Sequence, residues 1–371
     1  MRGLRLESLV TPAGTVVLSA ATGEVRAPGP DEVVVRIEAA PVNPSDLIQM
    51  FAFGDVARAE FGGSAERPVV TVPLSVEAAG AVAGRVGWAM PVGNEGAGTV
   101  VAAGAGDAAQ ALEGRLVAVA GGAFSQLRRF KAAHCLPLPE GASARDGAAA
   151  YVNPMTALAM VETMRAEGHR ALVHTAAASS LGRMLVRVCA EDGIPLVNVV
   201  RSRAQVELLR EAGAEHVCDS STADFEAELT AAIAATGATI AFDAVGGGGL
   251  ADRLLTCMER ALTAGERYET YGSPVHKQVY LYGFLDESPV VFRRGFGASW
   301  GVGGWLMPRA LAGAGGERVA AMRARVAAGL TTTFATEFTD EVTLTGALRP
   351  AALAAYARPA TGTKFLINPN S

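Results

Sequence analysis

The chain has 371 residues, 50% of them apolar and 19% charged, with a formal net charge of −5. At roughly 150 residues per domain this is about two domains. The composition is too apolar for intrinsic disorder, and the acidic balance excludes general attraction to nucleic acid or an anionic membrane. Of the 32 basic residues only Lys131, Lys277 and Lys364 are lysines.

Residues 1–140 read as strand and loop. EVVVRIEAA (32–40), GAGTVVAAG after Asn94 and RLVAVAGG (115–122) are short, β-branched and bounded by Gly or Pro. The stretch 51–90 has little periodicity and reads as an unassigned surface excursion. From about residue 144 apolar strands alternate with helical patterns. ALVHTA (171–176), PLVNVV (195–200), EHVCD (215–219), TIAFDAV (239–245) and QVYLYGF (278–284) are the strands. Between them lie SLGRMLVRVCAED, RAQVELLREAGA ended by Gly213, ADFEAELTAAIAATG, and a helix running through Met258. Strands alternating with helices imply right-handed crossovers and a parallel sheet covered on both faces. Beyond it, GGERVAAMRARVAAGL (315–330) predicts an amphipathic helix, and the tail from TTTFATEFTDEVTL through TKFLINP predicts strand again. The layout is a β-rich domain in two chain segments, 1–143 and 312–371, with an α/β domain, 144–311, inserted between them.

In a doubly wound sheet the ligand lies at the carboxyl ends of the strands, and the first strand-to-helix turn cradles phosphate. Here that turn is Thr175-Ala176-Ala177-Ala178-Ser179-Ser180-Leu181-Gly182. The G-x-G-x-x-G fingerprint is absent, and only Gly182 stands where a glycine is expected. An NAD site wants a carboxylate at the end of the second strand. This strand ends Arg201-Ser202-Arg203, two guanidiniums around a hydroxyl, which suits the 2′-phosphate of NADPH. The exits of the fourth strand, at Val245-Gly246, and of the fifth, at Gly283-Phe284, complete the expected cofactor surface.

VNPSDL (42–47), GNEGAGTVVAAG (93–104), YVNPMTA (151–157), LVHTAAASSLG (172–182), NVVRSR (198–203), LREAGAEHV (209–217), FDAVGG (242–247) and TKFLINP (363–369), in this order, resemble the medium-chain dehydrogenase/reductase superfamily. The zinc-free quinone oxidoreductases and 2-enoyl thioester reductases look closest. The resemblance implies a Rossmann doubly wound parallel sheet inserted in a GroES-like catalytic domain, a homodimer, and an active site in the cleft between the domains. It implies catalytic-site positions at Asn43, Asp46 and Thr156, and Tyr151 and Tyr282 read from the residues themselves as candidate cleft hydroxyls. Cofactor contacts are implied at Thr156, at Ala178, Ser179, Ser180, Leu181 and Gly182, at Arg201, Ser202 and Arg203, at Val245, Gly246, Gly283 and Phe284, and at Lys364.

Two departures from the superfamily bear on chemistry. Its zinc enzymes use an early Cys and the His of a G-H-E motif. Here the first position falls in Asn43-Pro44-Ser45-Asp46 and the second is Asn94, and carboxamide is a poor zinc ligand beside imidazole and thiolate, so no metal is expected. The enoyl reductases carry a tyrosine shortly after N-P-S-D, whereas Leu47 to Gly54 offers Phe51 and Phe53. The expectation is therefore an NADPH-dependent, zinc-independent reductase of a quinone or other α,β-unsaturated carbonyl, a small electrophile. The alternatives are a 2-enoyl-thioester reductase and a weakly catalytic NADPH-binding structural or sensing protein.

Other motifs carry less. Gly297-Ala298-Ser299-Trp300-Gly301 satisfies G-x-S-x-G, but no histidine follows it for a hydrolase triad. His134 and Cys135 are adjacent and would face opposite sides of a strand. His174 reads as a core or near-cofactor residue, and Arg293-Arg294 as a solvated rim. The four cysteines form no C-x-x-C, which points to reduced thiols in a cytoplasmic protein. The N-terminus lacks an apolar signal core, and no window of about 18 uncharged apolar residues predicts a membrane span.

Overall fold

A computed structural model of the protein describes residues 1–357, 361–362 and 364–371. Thr363, the first residue of the TKFLINP motif, lies outside them. The chain splits into two compact units, residues 1–152 with 323–371, and residues 153–322.

The first unit is built on two sheets. Strands Arg2–Val10 and Thr15–Glu24 bury alternate residues, as a sheet with one solvated face requires. They form an antiparallel hairpin in a five-stranded sheet with Ala89–Pro91 at one edge. Pro68–Pro73 and Glu60–Gly63 extend the other edge. The unassigned stretch 51–90 thus supplies the outer strands of this sheet. Its period was illegible because Glu60–Gly63 is exposed along its whole length, so no residue pattern separates two faces. In the second sheet Glu32–Pro41 pairs with Glu95–Ala103, Leu127–Lys131 and Phe365–Asn368. One core, including Leu6, Leu18, Ile37, Met50, Phe51, Phe124 and Ile367, joins the two sheets. The tail differs from its all-strand expectation. Between Asp340–Thr343 and Phe365–Asn368 lies a helix, Pro350–Tyr356, opened by proline in its first turn and held by buried Leu353 and Tyr356.

The second unit is a six-stranded, all-parallel sheet. Its order is His216–Asp219, Leu196–Val200, Leu172–Thr175, Ile240–Asp243, Lys277–Leu281 and Trp300–Gly304. In chain order this is 3-2-1-4-5-6, the doubly wound arrangement whose switch point lies between the first and fourth strands. The three central strands are buried on every residue. Helices Ser180–Asp192 and Phe225–Thr236 end at Gly193 and Gly237 in the left-handed region, as their sequences require. Helix Leu250–Thr263 runs five residues past Met258, because no breaker intervenes before Gly265. The glycine-rich stretch 295–304 ends in the edge strand Trp300–Gly304, so Ser299 leads into a strand and not into a helix.

Candidate functional site

In the second unit, the turn after Leu172–Thr175 passes through Ala176 at φ 50 and enters helix Ser180–Asp192. Ser179 caps that helix, its Oγ accepting the Gly182 N–H at 3.1 Å. A Cβ on Gly182 would lie 2.1 Å from the Ala177 carbonyl oxygen, so only glycine permits this approach of helix to turn. Ser180 and Leu181 head the helix, where backbone amides lack intrahelical acceptors and suit an anion. The turn lacks two of the three fingerprint glycines and keeps the close approach of helix to turn that the third permits.

At the second strand's exit Arg201 and Arg203 are both exposed. They are not equivalent. Arg203 Nε donates to Glu207 Oε1 at 2.8 Å, one turn along its helix. The Arg201 guanidinium has no ion-pair partner among the described residues, and its backbone N–H donates to Gln205 at 3.0 Å. Ser202 stands between them at the N-cap position, and its side chain makes no capping hydrogen bond.

The fourth and fifth strands continue side by side beyond their ends. Thr175 Oγ1 donates to Asp243 Oδ1 at 2.6 Å and accepts the Ala244 N–H at 2.8 Å. Asp243 also takes the N–H groups of Val245 and Gly246, at 3.0 and 3.3 Å. Burial pushes its carboxyl above the usual range. Gly246, at φ 79, would place a Cβ 2.2 Å from the Gly283 carbonyl oxygen, and a Cβ on Gly283 would meet the Ala244 oxygen at 2.3 Å. Val245, Gly246 and Gly283 are thereby brought together, with Phe284 beside them and 68% exposed. The Thr175–Asp243 pair escaped the sequence reading. Its one signal was a carboxylate in the otherwise apolar run TIAFDAV. Thr156 is buried in helix Val152–Ala166.

In the first unit, helix Pro44–Phe51 carries the expected Asn43 and Asp46. Its C-terminal end is held by Arg85, which donates to the Gln49 carbonyl at 3.2 Å and to Ser8 Oγ at 3.0 Å. Asp46 is fully buried and accepts the backbone N–H groups of Asn43 and Asn94, both at 2.7 Å. Asn43 Nδ2 donates to Glu95 Oε1 at 2.9 Å, and Asn43 Oδ1 accepts from Lys364 Nζ at 3.0 Å. Glu95 Oε2 takes the backbone N–H groups of Tyr151 and Val152, at 2.9 and 2.7 Å. The structure thus gathers Asn43, Asp46 and Lys364 around Glu95, which sequence reasoning missed, and attaches Tyr151 through its backbone. Lys364, grouped from sequence with the cofactor contacts, is buried in this network.

This network does not fit a zinc ion. Asn94 Oδ1 accepts from Gln49 at 2.5 Å and its Nδ2 donates to Ser45 at 2.9 Å, so its amide is committed to neighbours. Asn43 is committed in the same way. Among the described residues no group of three His, Cys, Asp or Glu is arranged to hold a metal.

Burial pushes the Asp46 carboxyl up to about 7, with Glu95 adding to the rise and the two backbone amides and Lys364 opposing it. Glu95 is raised by burial too, against Lys364. Between 3.8 and about 7 the native state therefore keeps a proton that the unfolded chain has released. Asp46 favours folding fully below that window and loses the benefit as pH rises through it. The thermal midpoint should fall between about pH 5 and pH 8, and Asp46→Asn should flatten the fall. Equal slopes for parent and variant would refute this assignment.

The comparisons with known proteins follow this geometry. The family described as "Alcohol dehydrogenase GroES-like domain" matches residues 29–140, and "Zinc-binding dehydrogenase" matches residues 180–273. A Mesorhizobium loti protein assigned as an NADPH:quinone reductase superposes with a TM-score of 0.73 at 26% identity, covering 99% of this chain and 98% of its own. A mutant form of enoyl thioester reductase from Candida tropicalis gives 0.68 at 17%, covering 99% and 100%. The synaptic vesicle membrane protein VAT-1 homolog of Rattus norvegicus is 27% identical over 245 residues, 64% of this chain and 53% of that protein. The chain thus spans about half the length of this curated relative. No helix among the described residues is long and apolar enough to cross a membrane. The order of the parallel sheet, its glycine-locked turns and both family matches agree: the chain belongs to the medium-chain dehydrogenase/reductase superfamily.

Proposed function

We propose that the protein is an NADPH-dependent oxidoreductase that reduces a quinone or another small α,β-unsaturated carbonyl. The observation that carries this reading is the pair Arg201 and Arg203 at the exit of the second parallel strand, where an NAD site would hold a carboxylate. The cradle around Ser179 and Gly182, and the contacts that only glycine permits at Gly246 and Gly283, fit a dinucleotide lying on backbone. A similar protein is named for NADPH and quinone.

NADPH supplies the hydride, and the chain's own residues bind, orient and exclude water. The amides of Ser180 and Leu181 hold the pyrophosphate, and Arg201 with Arg203 takes the 2′-phosphate. Thr156 and Tyr151 are the hydroxyls assigned to the substrate oxygen, where charge develops. Asn43 and Asp46 act as positioning residues, since their polar atoms are engaged within the network.

Quinone is preferred to enoyl thioester because the stretch after N-P-S-D presents no hydroxyl. Phe51 is buried in the core, and Phe53, at φ 64, is 51% exposed. A reduced quinone takes its protons from solvent. The same reading makes the protein a cytoplasmic homodimer. The edge strand Trp300–Gly304 supports the pairing, and four buried free cysteines support the compartment. The test is NADPH consumption with a panel of quinones beside an enoyl-CoA. Turnover of quinones and not of the thioester is expected. The reverse preference would replace this reading with the enoyl reductase, and binding without turnover of any acceptor would leave a sensing protein.

A further inference from the structure

In the first unit Arg5, Arg36 and Arg129 each hold a carboxylate, that of Glu7 at 2.5 Å, Glu38 at 3.0 Å and Glu32 at 3.2 Å. Arg128 is half-buried, and among the described residues it has neither an ion-pair nor a hydrogen-bond partner. It leaves strand Leu127–Lys131 on the same side as Phe130, whose ring belongs to the core joining the two sheets. That ring lies 5.8 Å from the guanidinium carbon. The guanidinium itself rests on Gly122. A Cβ there would stand 2.2 Å from Cζ and 2.3 Å from Nη1, and the backbone is at φ 67, so only glycine leaves the arginine this place.

A charge on the core side of a strand is costly unless an opposite charge meets it. Glu7 does not meet this one, because it takes both Nε and Nη2 of Arg5, at 2.6 and 2.5 Å. Burial and the charge of Arg5 lower the Arg128 guanidinium below its ordinary value, yet arginine stays protonated at neutral pH. None of its nitrogens is sealed from solvent, so an anion from outside can reach the fork, whose geometry matches the two oxygens of a carboxylate. The fork also stands near the polar network of this unit. The N–H of Gly121, the residue before Gly122, donates to the Asn94 carbonyl at 2.8 Å. Asn94 in turn bonds Gln49 and Ser45 through its side chain and Asp46 through its N–H. Covalent geometry then keeps Arg128 Cζ within about 12 Å of the Asn94 carbonyl, a span that a short acid-bearing chain covers.

We propose that Arg128 is a specificity-determining residue that binds a carboxylate carried by the acceptor, so that the protein selects anionic quinones or enones over neutral ones. This rests on the reductase reading above and narrows its substrate class. Gly122 leaves the guanidinium its place, Arg5 is kept out of the contact by Glu7, and the acceptor's acid supplies the charge that the chain itself does not.

The test pairs a naphthoquinone bearing a carboxypropyl chain with its methyl ester, under NADPH. The parent should show a KM about tenfold lower for the acid at equal kcat, the size of one charge-assisted pair partly open to water. Arg128→Met should erase this difference by raising KM for the acid alone, and Arg128→Lys, which keeps the charge, should retain part of it. Arg128→Met should melt no lower than the parent, since it removes an uncompensated charge. No preference in the parent, a preference that survives in Arg128→Met, or an equal loss of kcat for acid and ester overturns the proposal. Thermal midpoints read the same contact without turnover: the acid should raise the parent's midpoint more than the ester does, and Arg128→Met should lose the difference. Inorganic phosphate that raises the midpoint as far as the acid, at matched ionic strength, assigns the fork to a free anion and overturns its role in acceptor choice. If neither naphthoquinone is reduced while the midpoint still selects the acid through Arg128, the reductase reading fails and the carboxylate site stands.

Discussion

Lys277→Met melts roughly 10 °C below the parent, the largest loss expected from any single substitution in the second unit. Lys277 is one of three lysines in the chain, and it is fully buried. Its Nζ lies 2.6 Å from Glu259 Oε2 and 3.2 Å from the Val275 carbonyl oxygen. Glu259 Oε1 accepts the Ser273 N–H at 2.8 Å. The backbone of Gly272 and Gly297 closes over this carboxylate: Cβ atoms there would stand 2.2 and 2.9 Å from Oε1. One carboxylate thus ties the end of helix Leu250–Thr263 to the chain that leads into strand Lys277–Leu281. Removing the lysine leaves a buried charge with a single amide donor, a loss of about 3–5 kcal/mol, whereas replacing both partners by apolar residues of similar volume is often neutral. Glu259→Leu combined with Lys277→Met should therefore recover most of the midpoint. Calorimetry of the three variants checks this, and an unchanged midpoint in Lys277→Met would show that the pair contributes nothing net.

Arg201→Ala with Arg203→Ala should weaken NADPH roughly a hundredfold or more and leave NADH nearly untouched. Two charge-assisted hydrogen bonds to a phosphate are each worth about 1.5–3 kcal/mol. The single substitutions should differ. Arg203 is shared with Glu207, so part of its charge is already spent within the helix, and Arg201→Ala should cost more than Arg203→Ala. The preference for NADPH should also shrink with added salt, because both guanidiniums are exposed. Titrations of both cofactors with parent and variants decide it. Parallel losses for NADH and NADPH would mean that the arginines act on the fold and not on the phosphate.

Much of the second unit was legible from sequence because its signals are local. A strand, its turn and the following helix occupy about 30 consecutive residues, and apolar periodicity with a glycine stop marks each of them. The proposed role of Arg201 and Arg203 rests on the same kind of signal, since it follows from their place directly after the second strand. The stretch 51–90 and the helix Pro350–Tyr356 were not readable. An edge strand with no buried face has no alternation, and seven residues are barely two turns of helix. The strand Trp300–Gly304 was hidden because three of its five residues are glycine, which carries little preference for a strand.

By itself, then, the sequence determined the succession of parallel strands and helices, for these depend on neighbours along the chain. The tertiary structure alone decided which polar residues meet. Lys364 reaches Asn43 across 321 positions, His174 reaches Tyr282 across 108, and Thr175 reaches Asp243 across 68. No local pattern encodes such pairs. Each exists because topology brings two strand ends or a strand and a helix start together, and because a buried polar atom must find its partner there.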